Sequence, residues 1–188
     1  MGKSNGENDT NIIITGSYDE TIKIWNLEDG SVKRTLTEHT KYVLALKQLE
    51  NGDLVSGSAD GEIKIWDIET GTVKQTLTGH TGCINKLILL NSGDLVSGSD
   101  DSTIKIWNIE DGTVKMTLTD HTSYVYALKQ LENGDLVSGS DDGTIKIWDV
   151  EIGSVKKDLK VNSRINSFEV LQNGDLVSGS EESIIIWQ

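Results

Sequence analysis

Three histidines, three acidic pairs, one cysteine and a glycine-rich motif are the parts of this 188-residue chain that could do chemistry. His39, His80 and His121 invite a metal or general-base reading. They stand 41 residues apart, in the same register of a repeated unit. Residues in equal register sit on different copies of that unit, so the spacing separates the imidazoles rather than gathering them. A structural post in each unit is the expectation. Asp100–Asp101, Asp141–Asp142 and Glu181–Glu182 lack the ligand spacing of a calcium loop and read as solvated turns. The stretch "SGSDDG" lacks the Lys-Ser/Thr ending of a phosphate loop. Cys83 has no helix N-terminus and no histidine in register to activate its thiol. The expectation is a chain that is not an enzyme, with no cofactor and no metal site.

The elements that must position these residues come from the repeat. "GDLVSGSADGEIKIW" at 52–66 returns with small changes at 93–107, 134–148 and 174–187, and a worn copy, "NIIITGSYDETIKIW", stands at 11–25. Trp25, Trp66, Trp107, Trp148 and Trp187 mark steps of 41, 41, 41 and 39 residues. A fixed period in this range means units too small to bury their own apolar faces, stacked so that neighbours do it. Within a unit, runs of five to seven β-favouring residues are split by Asn-Gly, Asp-Gly or Glu-Asp-Gly, which is hairpin grammar. No helical periodicity is sustained, and there is no proline. Each unit is expected to be a four-stranded antiparallel meander. Ile104 and Ile106 should point to one face and Trp107 to the other, so the sheet must be sandwiched on both sides. Radial packing of such sheets achieves this, and the fold class is all-β, a β-propeller.

Composition limits the partners. The formal charge is −13, with 36% hydrophobic and 25% charged residues. That charge repels phosphate backbones and anionic lipid, so neither nucleic acid nor membrane is expected as a partner. A lone cysteine fits a reducing compartment, and a cytoplasmic location is expected. Residues 1–10 read as a polar N-terminal tail, and 11–188 as the propeller.

The repeat resembles the WD-repeat (tryptophan–aspartate) propeller family: a His, an apolar strand, "LVSGS", an Asp six residues before a Trp, and Asp or Asn after it. "WD" stands at 66–67 and 148–149, and "WN" at 25–26 and 107–108. The resemblance implies a buried hydrogen-bonded network in each blade. By position it would comprise His39, Ser56, Asp60 and Trp66; His80, Ser97, Asp101 and Trp107; and His121, Ser138, Asp142 and Trp148. The ends depart from the pattern. The first unit has Thr15, Asp19 and Trp25 but no His; the fifth has Asn162 near the His position, with Ser178 and Trp187. Looser terminal blades are expected.

The resemblance also implies a top face on which peptides or domains dock. The units vary most where that face would lie: Tyr42, Cys83, Tyr124 and Arg164 at the start of the inner strand; Leu44, Asn85, Tyr126 and Asn166 two residues on; and Tyr18, Asp100 and Asp141 before the network acid. Tyr and Arg are common interface anchors. The expected function is a non-enzymatic protein–protein interaction scaffold with a protein or peptide partner on this face. The alternatives are a self-assembling propeller fragment without a dedicated ligand and a small-molecule or sugar-binding propeller.

Counting strands gives three in the first unit, twelve in the next three and three in the last, about 4.5 blades. An open arc of this kind would expose an apolar face at each end. About 400 Å² per face at ~25 cal/mol per Å² is worth on the order of 10 kcal/mol. A head-to-tail homodimer closing one ring of eight to ten blades is therefore expected.

Overall fold

The computed structural model describes residues 11–187; the expected polar tail over 1–10 lies outside them. Eighteen strands form five antiparallel sheets, and the described residues include no helix. Blade 1 holds β1 (Ile12–Gly16), β2 (Ile22–Asn26) and β3 (Val32–Leu36). Blade 2 holds β4 (Val43–Gln48), β5 (Leu54–Ser58), β6 (Ile63–Asp67) and β7 (Thr72–Leu77). Blade 3 holds β8 (Ile84–Leu89), β9 (Leu95–Ser99), β10 (Ile104–Trp107) and β11 (Val114–Leu118). Blade 4 holds β12 (Val125–Gln130), β13 (Leu136–Ser140), β14 (Thr144–Asp149) and β15 (Ser154–Lys160). Blade 5 holds β16 (Ile165–Val170), β17 (Leu176–Ser180) and β18 (Ile184–Trp187). The strands pair in chain order, so every blade is a meander. Among the described residues blade 1 has no inner strand and blade 5 no outer one, as the strand count predicts.

Register explains why one short strand feeds two interfaces. Along β10, Ile104 and Ile106 pack toward blade 4, against Val125, Leu128 and Trp148. Trp107 packs toward blade 2, against Ile63, Leu77 and Val55. A bulge between Ile106 and Trp107 breaks the pairing with β11, from Ile106↔Met116 to Trp107↔Val114. The same bulge precedes Trp25, Trp66 and Trp148 in their blades. An extra residue on the outer strand at this point raises local twist. Trp66, Trp107 and Trp148 are the largest fully buried side chains.

The inner strands β4, β8, β12 and β16 pack side by side. Gly57, Gly98 and Gly139 make that approach possible. A Cβ at Gly57 would lie 2.4 Å from Ile84 of the next blade; at Gly139 it would lie 2.4 Å from Ile165. At this point in the repeat the backbone of one blade is the floor for a β-branched side chain of the next, and only glycine leaves room.

Among the described residues nothing covers the two end faces. On the outward face of blade 5, Ile184 is 78% and Ile186 57% exposed, whereas their counterparts Ile63 and Ile65 are 0% and 4% exposed. On the outward face of blade 1, Ile13, Leu27 and Val32 are exposed where Leu54 is buried and Ile68 and Val73 are partly buried.

Candidate functional site

Each complete blade ties two strands, the turn between them and the entering loop together through one polar chain. In blade 2, His39 Nδ1 lies 2.9 Å from Asp60 Oδ2, and His39 Nε2 lies 2.7 Å from Ser56 Oγ. The Trp66 indole N–H donates to the same Ser56 Oγ at 2.8 Å. A carboxylate can only accept, so His39 carries its proton on Nδ1. Nε2 is then an acceptor, Ser56 donates to it, and the hydroxyl oxygen takes the indole proton. Donors run in one direction: indole, hydroxyl, imidazole, carboxylate. Blade 3 repeats the arrangement with His80, Asp101, Ser97 and Trp107, at 2.7, 2.7 and 2.8 Å. Blade 4 repeats it with His121, Asp142, Ser138 and Trp148, at 2.8, 2.7 and 2.7 Å.

The carboxylates are anchored from several sides. Asp60 accepts the Thr40 and Glu62 amides as well as the imidazole. Burial pushes its pKa up, but the Glu62 amide, His39 and the Thr40 amide outweigh this and hold it below the usual range. Asp142 is held down to about 2: burial opposes, while the Thr144 hydroxyl, the Thr122 amide and His121 prevail. Asp101 is held low in the same manner by His80 and Thr103. Burial also lowers the pKa of His39 and His121, against the raising effect of their aspartates. These are neutral, saturated imidazoles, with both ring nitrogens committed inside the blade. Such histidines are posts rather than bases, because a proton shuttle needs a nitrogen within reach of a substrate.

The terminal blades keep fragments of this chain. Trp25 donates to Thr15 at 2.9 Å, and Trp187 to Ser178 at 2.9 Å. Asp19 is exposed and is occupied locally by Thr21 and Lys23. Asn162 is exposed with a left-handed φ of 59°, and Val161 is the side chain packed nearby.

The variable positions fall into two groups. Across blades 1 and 2, Tyr18 and Tyr42 meet edge to face with centroids 4.7 Å apart, and both are exposed. Leu44 is exposed beside them in sequence. Across blades 3 to 5, Tyr124 and Tyr126 meet at 6.2 Å, and the Arg164 guanidinium lies 3.8 Å over the Tyr126 ring. Asn85 donates to Asp100 at 2.7 Å and to the Val125 carbonyl at 3.2 Å, which fixes blade 3 against blade 4. Burial pushes the Tyr126 phenol up; Arg164 opposes this, while Asp100, Asp141 and Tyr124 add to it. Asp141 accepts from Ser123 at 3.3 Å, and Asn166 is exposed. Cys83 contacts the Ala59 carbonyl at 3.8 Å, and burial, with Asp100 nearby, pushes its thiol up, away from a reactive thiolate.

Sequence reasoning missed one groove. It lies between blades 2 and 3, has a volume of about 1210 Å³, and is lined by Leu49, Glu50, Asp53, Leu89, Ile109 and Glu110 among others. None of the expected site residues lines it. Its walls are hairpin turns and the strand ends beside them, whose repeat-to-repeat similarity gave no signal.

The repeating Trp–Ser–His–Asp chain on a radial stack of meanders agrees with the comparisons. A family model described as "WD domain, G-beta repeat" matches residues 7–26, 30–67, 71–108 and 111–149. The chain belongs to the WD40-repeat family. A solved structure titled "Crystal structure of WD40 beta propeller domain of Doa1" is 33% identical with a TM-score of 0.82. The match covers 94% of this chain and 60% of that one, so this chain spans about 60% of its length. No curated protein matches. WD40 propellers generally mediate protein–protein interaction and are typically non-enzymatic scaffolds. No helix among the described residues is long and apolar enough to cross a membrane.

Proposed function

We propose that this WD40 chain is a non-enzymatic scaffold in the cytoplasm that holds a peptide or protein partner on the face bearing the variable residues. The observation that supports this most is the meeting of Tyr124, Tyr126 and Arg164 beside Asp100 and Asp141, an aromatic and charged surface drawn from three blades. Tyr18 and Tyr42 extend the same chemistry to blades 1 and 2. Aromatic and arginine anchors of this kind dominate interface energetics. A sugar site is disfavoured, because all five indoles spend their N–H on a Thr or Ser of the same blade.

The test is a displayed peptide library panned on the chain and on a Tyr42→Ala, Tyr124→Ala, Tyr126→Ala variant. The reading expects peptides that the wild type enriches and the variant does not, with the melting temperature kept. Equal enrichment by a variant of unchanged stability would overturn the assignment.

The exposed ends favour a second, compatible reading, a homodimer closing one ring. Blade 5 presents Ile184 and Ile186 in the register of Ile63 and Ile65, and blade 1 presents Ile13 and Trp25 in the register of Leu54 and Trp66. Each end carries one half of a joint that the chain builds internally between successive blades. Two copies joined head to tail would satisfy both ends twice.

A further inference from the structure

We infer that the groove between blades 2 and 3 is a docking site for an extended peptide in which basic and apolar residues alternate. Two changes in blade 3 open this joint. In blade 4, Gln130 at the end of β12 reaches back to blade 3 and accepts the Asn91 amide at 2.8 Å. Between blades 4 and 5, Lys129 crosses to Glu169 at 3.0 Å. Blade 3 carries Ile88 in the register of Glu169 and Leu89 in the register of Gln130. Neither side chain can make the crossing contact, and the groove stands open at that end of the joint.

What the groove presents defines its occupant. Glu50 holds the place of Asn91 in its own turn, and its amide has no acceptor among the described residues. An extended peptide can supply the carbonyl. The apolar lining is Leu49 and Leu90, which are buried, and Leu89 and Ile109, which are half-buried and open to a ligand. Charge sets the rest. Asp53 and Lys74 pair at 2.7 Å and cancel. That leaves the exposed Glu50 and Glu110 against the exposed Lys47, none of them in an ion pair among the described residues. The lining is therefore net acidic, on a chain of formal charge −13, and favours a basic ligand. Side chains of an extended peptide alternate, so apolar residues can face Leu89 and Ile109 while basic ones meet the carboxylates.

The groove and the tyrosine face lie at opposite ends of the inner strands. Tyr42 precedes β4 and Glu50 lies beyond its end, so a six-residue strand of about 20 Å separates them. Across blade 2, from β4 to β7, are three strand spacings, about 14 Å, which about four extended residues span. A pentapeptide is thus long enough to reach from Glu50, at the inner hairpin of blade 2, toward Glu110, at the outer hairpin of blade 3.

The test uses the full chain and the labelled peptides RLRVR, ELEVE and RSRSR, followed by fluorescence anisotropy and hydrogen exchange. RLRVR should bind and protect amides over 48–51 and 89–93. ELEVE has the apolar residues with the wrong charge, and RSRSR the charge without the apolar residues; each should bind at least about fivefold more weakly. Leu89→Gln installs the residue that blades 2 and 4 carry in that register, and should weaken RLRVR to a similar degree with the melting temperature kept. Glu50→Lys combined with Glu110→Lys should weaken it through charge. The Tyr42→Ala, Tyr124→Ala, Tyr126→Ala variant should bind RLRVR as the wild type does. No binding by RLRVR, equal binding by all three peptides, or protection confined to other residues would each overturn the proposal. The peptide comparison needs no altered protein, so a poorly folding variant leaves the test intact. The library experiment on the tyrosine face reads a different surface, so either proposal can fail without the other.

Discussion

Blade 3 and blade 1 carry nearly the same strand, "TIKIWN", in different settings. In blade 3 the Trp is 1% exposed and belongs to a four-member polar chain. In blade 1 the Trp is partly exposed and holds one hydrogen bond, to Thr15. The strand itself is equal; what differs is whether a sheet leans on each face and whether a His stands in register to complete the polar chain. The lesson is that a blade's burial, and hence most of its stability, is a property of the joint rather than of the unit.

Truncating the tryptophans separates the two settings most strongly. Trp107→Ala should cost about 3–5 kcal/mol in urea unfolding, the range for a large aromatic lost from a packed core. Trp25→Ala should cost clearly less in dilute solution, and the gap should narrow at concentrations where copies associate. Equal losses at every concentration would break the comparison.

Next comes the polar chain. Asp142→Ala leaves the buried His121 Nδ1–H with only the Thr144 hydroxyl, 3.3 Å away, in place of the carboxylate at 2.8 Å, a loss of about 1–3 kcal/mol by equilibrium unfolding. Asp19→Ala removes an exposed carboxylate with only local partners and should leave the unfolding midpoint nearly unchanged.

Glycines at the inner joints give a sharper contrast. Gly139→Ala drives a Cβ into Ile165 of the next blade and should cost about 1–3 kcal/mol by overpacking. In blade 5 the equivalent Gly179 meets only the Ser167 hydroxyl, at 2.6 Å, the end of a side chain that can swing away. Gly179→Ala should therefore be tolerated, with unchanged strand protection in hydrogen exchange.

Acidification is the gentlest probe. The folded pKa values of His39 and His121 lie below the ordinary 6.5. The unfolded chain then binds protons first, so their contribution is complete above pH 6.5 and is lost as pH falls below it. The depressed aspartates act with the same sign, complete above about 3.8 and lost below it. Unfolding midpoints should be flat above pH 6.5 and decline in two stages beneath it. A stability that rises on acidification from pH 7 to 5 would contradict the neutral-imidazole assignment.

Much of the architecture was legible because it is written as a period. Tryptophan steps and Asn-Gly or Asp-Gly turns told the number of strands in each unit and their meander order, and the alternation around Trp107 told that Ile104 and Ile106 face one way and the indole the other. The network was legible through the resemblance: His, Ser, Asp and Trp recur at the registers where WD repeats carry a buried polar chain, and a buried imidazole that needs two partners agrees with it. The variable positions were legible only as differences. Their division into a Tyr18–Tyr42 pair and a Tyr124–Tyr126–Arg164 cluster depends on how far apart the blades hold them, which spacing along the chain does not carry. The groove between blades 2 and 3 gave no signal at all. It is made of residues that look ordinary in every copy and becomes distinctive only through what stands beside them.

The central claim is that the two bare faces are halves of one joint. Sedimentation velocity over a range of concentrations tests it most directly. The account predicts a species at about twice the 20.6 kDa chain mass, lost when Ile184 and Ile186 are both changed to Lys. A chain that stays at 20.6 kDa at every concentration, with those isoleucines intact, would contradict it.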